Sequence, residues 1–364
     1  MNKKYFIGYD LGSSSVKVAI VDSTTGENIL SIHEPKGEMS IISQHANWAE
    51  QNPDDWWDFI CTATRRALIK SNIRSSDIKA IGISYQMHGL VVVDKAKKPL
   101  RNSIIWCDSR AVSIGEKAFQ DLTPKICINK LLNSPANFTA SKLKWIKDNE
   151  PEVFEKIYKF MLPGDYIALK LSDKISTTSN GLSEGIFWDY ESDKVASWLL
   201  DYFEFDTGLV PQIVENFTAQ CYVSKKASDE TGLPEGIPIT YRAGDQPNNA
   251  LSLNIFNKGE VAATGGTSGV IYAITNNKKS NEASRINHFA HVNYSQNNPS
   301  IGKLLCINGA GIMYRWLRNQ SSAISYEAMN KEASKIPIGS EGLIILPFGN
   351  GAERMLGNLN IGTQ

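Results

Sequence analysis

The chain has 364 residues, 42% of them hydrophobic and 21% charged, a composition that excludes a disordered protein and a length that predicts two domains with separate cores. Its 38 Lys and Arg residues balance 38 Asp and Glu residues, so no basic excess indicates a nucleic-acid partner. Five cysteines without a CxxC pair, and no apolar run near the roughly 18 residues of a bilayer span, predict a cytoplasmic protein without disulfides, structural zinc or a membrane partner.

The sequence of the N-terminal residues predicts a β-hairpin. Residues 5–10 and 16–22 are rich in β-forming side chains and flank a turn of glycine and serines. Asp10 ends the first strand, so a carboxylate is expected beside the turn at Gly12.

A helix is predicted next, because Asn52 can cap it, Pro53 suits its first turn and apolar residues then recur at helical spacing. Residues 78–84 predict another strand, which ends in the segment 85–89 (YQMHG). Polar side chains therefore cluster at a strand end. A single histidine in such a place is also typical of a buried polar group with its hydrogen bonds satisfied.

The middle of the chain predicts two more helices, around residues 141–148 and from Pro151, followed by a loop rich in Ser, Thr and Asn at 172–183. Alternation of strands and helices indicates an α/β architecture. Residues 237–241 predict a strand, and a turn and a helix follow it. We therefore place a domain boundary here, with residues 1–243 in the first domain and 244–364 in the second.

The second half begins like the first. Residues 266–274 (GTSGVIYAI) agree with residues 12–20 (GSSSVKVAI) at five of nine positions. Glycine permits close approach of the backbone, and hydroxyl and turn N–H groups can donate to phosphate oxygens, so the pair predicts two clamps on one nucleotide. Each turn taken alone is more typical of a plain hairpin. A strand at 304–307 and a helix around 312–317 are predicted beyond the second turn.

Over nearly its whole length the chain resembles the FGGY family of carbohydrate kinases, and residues 87–89 (MHG) and 106–110 (WCDSR) look most like its xylulokinase branch. The resemblance implies duplicated actin-like, ribonuclease-H-like α/β domains with ATP in the interdomain cleft. One family signature departs only at Asn137, where an aromatic or small residue is expected. Its matched residues are Thr139, Lys142, Leu143, Trp145, Ile146, Asp148 and Asn149.

The resemblance implies that Asp245 is the general base that takes the proton of the attacking sugar hydroxyl. It implies that Asp10 holds Mg²⁺ and orients the phosphates of ATP, a task suited to a hard oxygen ligand. From the residues alone, Asp245 could simply cap the helix after Gln246, and Asp10 could brace a turn.

The resemblance also implies a sugar-binding segment in which an imidazole and an amide can bond to hydroxyls while a thioether packs on the carbon skeleton. Asp108 could line the same pocket, or it could form an ordinary surface ion pair with Arg110. Trp106 is expected in the core. The predicted sugar-binding segment, or sugar segment, comprises Gln86, Met87 and His88.

For the nucleotide, the resemblance implies two phosphate loops, and no P-loop motif occurs. Gly311 aligns with a glycine that approaches the nucleotide, although it could simply ease helix packing. Arg315 stands where the glycerol kinase branch has glutamine. The first loop comprises Gly12, Ser13, Ser14, Ser15 and Lys17, and the second comprises Gly266 and Thr267.

Residues 349–354 (GNGAER) match a segment that family members follow with further strands and helices, so the second domain is expected to be incomplete. The expected function is ATP-dependent phosphorylation of D-xylulose to D-xylulose 5-phosphate. Kinases for ribulose, gluconate or glycerol are the nearest alternatives, and a truncated, nonenzymatic sugar-binding fragment is another. A homodimer is compatible with the sequence.

Overall fold

The computed structural model describes residues 3–266, 268–280, 285–307, 309–321 and 325–346. In these ranges no helix is both long enough and apolar enough to cross a membrane. The strands are β1 (Tyr5–Leu11), β2 (Val16–Asp22), β3 (Asn28–Glu34), β4 (Glu50–Gln51), β5 (Ile78–Tyr85), β6 (Val91–Val93), β7 (Ser103–Ile104), β8 (Lys159–Met161), β9 (Ser176–Thr177), β10 (Trp188–Asp189), β11 (Lys194–Val195), β12 (Gln212–Ile213), β13 (Cys221–Tyr222), β14 (Pro238–Gly244), β15 (Val261–Gly265), β16 (Gly269–Thr275), β17 (Asn287–Ala290) and β18 (Ile301–Ile307).

Helices alternate with these strands, as the sequence predicts. They are α1 (Pro53–Ser71), α2 (Val112–Asp121), α3 (Pro124–Lys130), α4 (Thr139–Asn149), α5 (Pro151–Phe154), α6 (Pro163–Ser172), α7 (Ser179–Glu184), α8 (Ser197–Tyr202), α9 (Lys225–Thr231), α10 (Asp245–Ser252), α11 (Ala310–Gln320) and α12 (Tyr326–Ala333), with short 3₁₀ turns at Ser75–Asp77, Thr207–Leu209 and Ser340–Gly342.

A six-stranded mixed sheet forms the first half, in the order β13-β14-β5-β1-β2-β3. β1, β2 and β3 pair antiparallel in sequence, whereas β5 lies parallel to both β1 and β14. A three-stranded meander extended by parallel strands is the ribonuclease-H-like arrangement, and the expected α/β fold is confirmed. The parallel strands direct their carboxyl ends to one edge of the sheet.

The sheet buries one face under α1 because alternate side chains of β1 and β2 are apolar. Asn52 accepts a hydrogen bond from the Asp54 N–H at the start of α1, and Pro53 occupies the first turn. Trp56 and Ile60 of this helix are buried against the sheet. The predicted hairpin and the predicted helix are therefore both confirmed.

The second half opens with a four-stranded antiparallel sheet, β15-β16-β18-β17. β15, the turn after it and β16 repeat the β1-turn-β2 hairpin, as the repeated sequence predicts. The two halves share one apolar cluster, in which Val270 and Phe289 pack with Leu143 and Leu182. The polar loop expected at 172–183 is wrong in part, because it contains β9 and α7, the latter capped by Thr178.

Buried polar side chains of the first half bind the backbone of β17. The Asn133 amide donates to the His288 carbonyl at 2.6 Å and accepts from the His288 N–H at 2.9 Å. Ser183 Oγ, on α7, accepts from the Ala290 N–H at 2.7 Å. These bonds fix the sheet of the second half against α7.

Replacement of Asn133 by Ala should lower the free energy of unfolding by about 2–3 kcal/mol, because it leaves a buried donor and a buried acceptor of β17 unpaired. Urea denaturation would measure the loss. Asn149→Ala is the control, because Asn149 is exposed at the end of α4 and its loss should cost under about 0.5 kcal/mol. Equal effects of the two substitutions would contradict the assigned role of Asn133.

Candidate active site

The carboxyl ends of three neighbouring strands place the predicted catalytic residues. In the sheet register Asp10 pairs with Ser84, and Ser84 pairs with Ala243. The strands end one residue later, at Leu11, Tyr85 and Gly244, and Gly12 and Asp245 directly follow two of these ends. Because neighbouring strands lie about 4.8 Å apart, the Asp10 backbone is roughly 10 Å from the end of β14. The sheet thus brings the two predicted carboxylates to one edge.

The turn between β1 and β2 is held by its own backbone and by the residues that precede α1. The Gly12 N–H donates to the Ser15 carbonyl at 3.1 Å, and the Ser14 carbonyl accepts from the Met39 N–H at 2.8 Å. Gln51 Nε2 donates to the Ser13 carbonyl at 2.6 Å. The predicted first phosphate loop is therefore a fixed turn at the strand end.

Lys17 faces Asp10 across the hairpin. The two residues are a cross-strand pair, and Lys17 Nζ donates to Asp10 Oδ2 at 3.1 Å. The Lys17 side chain is exposed, and that of Asp10 is accessible to solvent. A cation and a carboxylate therefore stand together beside the first loop, where either can contact a ligand.

The second predicted loop, between β15 and β16, is joined to α11. The Gly266 N–H donates to the Ser268 carbonyl at 2.9 Å, and the Gly311 N–H donates to the Gly266 carbonyl at 3.0 Å. Gly311 thus supports the loop through its backbone. Thr267 and residues 349–354 lie outside the described residues.

A cleft of about 500 Å³ opens between the first sheet and α10. Asp10, Lys17 and Ser84 line it from the sheet, and Asn248 lines it from the helix. Of the two predicted carboxylates, Asp10 lines this cleft, whereas Asp245, at the start of the helix, does not.

Gln86 follows β5 and is almost fully buried. Its Nε2 donates to Gln51 Oε1 at 3.1 Å, so the same Gln51 amide bonds both Gln86 and the first loop. The Oε1 atom of Gln86 is also buried, and within the described ranges it has no hydrogen-bond donor. An orphaned buried acceptor is what a ligand hydroxyl would satisfy. Gln51 was not singled out from the sequence, because only long-range contacts give it this position.

Met87 and His88 continue the same segment. Met87 is buried, and its side chain occupies the space beside Gly244. His88 has a left-handed backbone with φ of 61°, which is uncommon for a residue other than glycine. Its ring packs edge-on against Phe138 and tilted against Phe289. His88 therefore lies where the two halves of the chain meet.

Asp108 is fully buried. Its carboxylate accepts from the Ala49 N–H at 2.6 Å and from the Arg110 guanidinium at 2.6–3.0 Å. The surface ion pair considered from the sequence is wrong, because both side chains are inaccessible. Protein donors bond both carboxylate oxygens, so Asp108 contributes to a buried polar cluster, and its predicted contact with the sugar stays a prediction. Trp106, expected in the core, is 53% exposed.

The family signature lies on α4, as predicted. Lys142 Nζ donates to the carbonyls of His88 and Ile105, both at 2.9 Å, and burial lowers the pKa of Lys142 to about 7. The Trp145 ring lies 4.7 Å from the Arg110 guanidinium. The signature lysine thus binds the backbone of the predicted sugar segment, and the signature tryptophan packs against Arg110.

Asp245 is partly buried at the first position of α10. Burial raises its pKa from 3.8 to about 6, and the negative charge of Asp10 contributes to the rise, whereas hydrogen bonds with Gln246 oppose it. A carboxylate with a pKa near 6 is ionised at neutral pH and is a better proton acceptor than an ordinary Asp.

The described residues fit Mg²⁺ only if substrate phosphates and water supply most of its ligands. Among the described residues no cluster of three or more His, Cys, Asp and Glu side chains could cage a metal. Mg²⁺ commonly uses one or two carboxylates together with substrate phosphates and water. Asp10 and Asp245, at one sheet edge with like charges, suit that manner of binding.

The model of the FGGY family of carbohydrate kinases, N-terminal domain, matches residues 5–252. A curated relative, the xylulose kinase of Bacillus subtilis (strain 168), is 29% identical over 350 residues, which are 95% of this chain and 68% of the relative.

Two solved structures have the same fold. The xylulose kinase from Rhodospirillum rubrum superposes with a TM-score of 0.88 at 24% identity, and the match covers 99% of this chain and 72% of that one. The gluconate kinase from Lactobacillus acidophilus superposes with a TM-score of 0.89 at 22% identity, covering 100% and 72%. The duplicated actin-like, ribonuclease-H-like fold is thereby confirmed.

Asp245→Asn should stabilise the protein at pH 8. The raised pKa means that the folded state binds more protons than the unfolded state between about pH 4 and pH 6, so ionised Asp245 costs stability above that window. Removing the charge should recover about 1–2 kcal/mol at pH 8, after allowance for partial exposure, and little at pH 4. Urea titrations at both pH values measure the difference.

Asp22→Asn is the control of opposite sign. N–H groups of Thr24 and Thr25 lower the pKa of Asp22, so its ionised form stabilises the fold at pH 8. If Asp245→Asn behaves like Asp22→Asn, the burial argument for Asp245 is wrong.

Proposed function

Because this chain belongs to the FGGY family of carbohydrate kinases, we propose that it transfers the γ-phosphoryl group of ATP to the terminal hydroxyl of D-xylulose, giving D-xylulose 5-phosphate. The family makes the chain a sugar kinase, a phosphotransferase with an alcohol group as acceptor. The choice of a ketose is supported by the relative named xylulose kinase and by the Met87-His88-Gly89 segment.

One observation carries the proposal: the parallel register brings Asp10, Gln86 and Asp245 to one edge of the sheet. A phosphoryl transfer needs a base on the acceptor hydroxyl and a charged group near the phosphates, held in line. The two carboxylates supply these groups. The buried amide oxygen of Gln86 supplies an acceptor for a sugar hydroxyl.

In the proposed reaction, Asp245 accepts the proton of the sugar hydroxyl as the oxygen attacks the γ-phosphorus, and ADP leaves. Gln86, Met87 and His88 bind the sugar, two through polar groups and one through its thioether. Lys142 holds the backbone of that segment through the His88 carbonyl. The protein thereby orients the acceptor and removes one proton, and it forms no covalent bond with the substrate.

On the nucleotide side, the proposed phosphate contacts are the turn N–H and hydroxyl groups of both loops. Lys17 adds a positive charge beside Asp10. Mg²⁺ held by Asp10 would offset negative charge on the phosphate oxygens. The full set comprises Gly12, Ser13, Ser14, Ser15, Lys17, Gly266, Thr267 and Gly311.

We further propose that residues 1–243 bind the sugar and that residues 244–364 belong to the nucleotide-binding domain. In support, the sugar segment follows β5 of the first sheet, and the chain enters α10 directly after β14. The hydrogen bond between β17 and α7 joins the two halves of the chain. A sugar bound to the first half and a nucleotide bound to the second could therefore meet in one cleft.

The kinase proposal predicts release of ADP that depends on D-xylulose. Asp245→Asn should lower kcat by about 10²–10⁴-fold, because the side chain keeps its shape but no longer accepts the proton. Coupled ADP release measures the rate, and calorimetric titration measures sugar binding. D-ribulose, gluconate and glycerol are the comparison substrates.

Asp206→Asn is the matched control for this substitution. Asp206 is exposed, and its side chain accepts a hydrogen bond from the Gly208 N–H at the start of a 3₁₀ turn, a role that Asn can also fill. Its kcat should therefore match that of the original protein.

Faster turnover of one of the three comparison compounds would reject the choice of xylulose. Sugar binding without any ADP release would instead support the nonenzymatic alternative and contradict the kinase.

Gln86→Leu should raise the KM for the sugar about 10-fold or more while changing the KM for ATP little, because it removes the orphaned amide oxygen and keeps the side-chain volume. Steady-state kinetics in each substrate measure both constants. A selective rise in the KM for ATP would show that Gln86 serves the phosphate loop through Gln51 instead.

A further inference from the structure

Glu184 ends α7 and is buried between the sugar segment and the predicted general base. Glu184 is not evident from the sequence, because it directly follows a stretch that predicts a polar loop. Thr178 caps the start of α7, and Ser183 Oγ accepts from the Ala290 N–H, so the helix is fixed at both ends. A carboxyl group carried on so constrained a helix has a defined position.

On one side Glu184 holds His88. The His88 N–H donates to Glu184 Oε1 at 3.4 Å, and His88 Nδ1 lies 2.9 Å from the Glu184 carbonyl oxygen. A carbonyl oxygen only accepts, so Nδ1 carries a proton. Lys142 Nζ binds the His88 carbonyl. These bonds hold His88 in the left-handed backbone conformation, which would otherwise be strained.

On the other side Glu184 contacts the corner that leads to Asp245. A Cβ atom at Gly244 would overlap Glu184 Oε2 and Met87 Cγ. The glycine therefore lets the carboxyl group pack directly on the backbone before Asp245. One side chain thus touches both the proposed sugar segment and the peptide that carries the proposed base.

We propose that Glu184 is a positioning residue for sugar phosphorylation, which holds the His88 backbone and the Gly244-Asp245 corner at a fixed separation. The inference rests on the proposed function, since it concerns the sugar that lies between these two elements. Glu184 acts through His88 and Asp245 and does not itself take part in proton transfer.

The charge state of Glu184 agrees with this role. Burial raises its pKa well above the ordinary value, the negative charges of Asp245 and Asp165 raise it further, and hydrogen bonds from His88 and Tyr85 lower it. A protonated acid can pack beside ionised Asp245 without repelling it. Gln, which is neutral and of the same shape, should therefore replace Glu184, whereas Leu keeps the volume and loses the hydrogen bonds.

The test compares Glu184→Leu with Glu184→Gln. We expect the Leu variant to weaken calorimetric binding of D-xylulose, without nucleotide, by about tenfold, and the Gln variant to stay within about threefold of the original protein. In a His88→Ala background, Glu184→Leu should weaken binding by clearly less than in the original protein, because only the part of its effect that passes through the Gly244-Asp245 corner remains.

Asp189→Asn is the matched control. Asp189 is another buried carboxylate near α7, bonded to Trp198, and its loss should lower the melting temperature without changing sugar affinity. Equal and additive weakening by Glu184→Leu in both backgrounds, or full binding by the Leu variant, would overturn the inference.

Two-dimensional ¹⁵N NMR of the imidazole rings gives a second test that requires neither a folded Leu variant nor turnover. His88, assigned by comparison with His88→Ala, should carry its proton on Nδ1, because its partner is the Glu184 backbone carbonyl, and a ring protonated only on Nε2 would overturn the inference by removing His88 from the end of α7. Sugar binding without phosphorylation would reject the proposed kinase reaction alone, because the binding of the Leu and Gln variants still reports the role of the Glu184 side chain.

Discussion

The parallel pairing of β5 with both β1 and β14 is the constraint on which the site depends. It places the ends of β1, β5 and β14 next to one another. Residues that are far apart in sequence, such as Asp10 and Asp245, therefore lie near each other at one edge of the sheet. A shift of one residue in this register would turn Asp10 to the opposite face of the sheet. The apolar alternation of β1, packed under α1, prevents that shift.

A cluster of buried charged side chains surrounds Arg110. Arg110 contacts Asp108 and Glu50 and lies on the Trp48 ring, 3.7 Å from its centre. Buried charges give little net stability, but their fixed geometry can hold neighbouring backbone in place. Beside them, Lys142 binds the carbonyls of His88 and Ile105, so the backbone of the proposed sugar segment is held by a protein donor before any ligand binds.

Local patterns predicted much of this arrangement. The hairpin that carries Asp10, the capped helix α1 and the helix of the signature each follow from residues close together in sequence. Glu184, Gln51 and the burial of Asp108 did not follow, because their partners lie 35 to 96 residues away and polar composition normally indicates solvent exposure. Trp106 shows the converse, since an aromatic side chain predicts burial that the fold does not provide.

Gly244 has a consequence for the evolution of new specificities on this scaffold. Glu184, Met87 and the corner before Asp245 share one small volume, and the missing side chain at Gly244 is what makes them fit. A larger residue at any of these positions displaces the others. The pocket should therefore diversify through coordinated replacements on three separate elements, and transplanting the short sugar segment alone from a related enzyme would leave the remaining two elements mismatched.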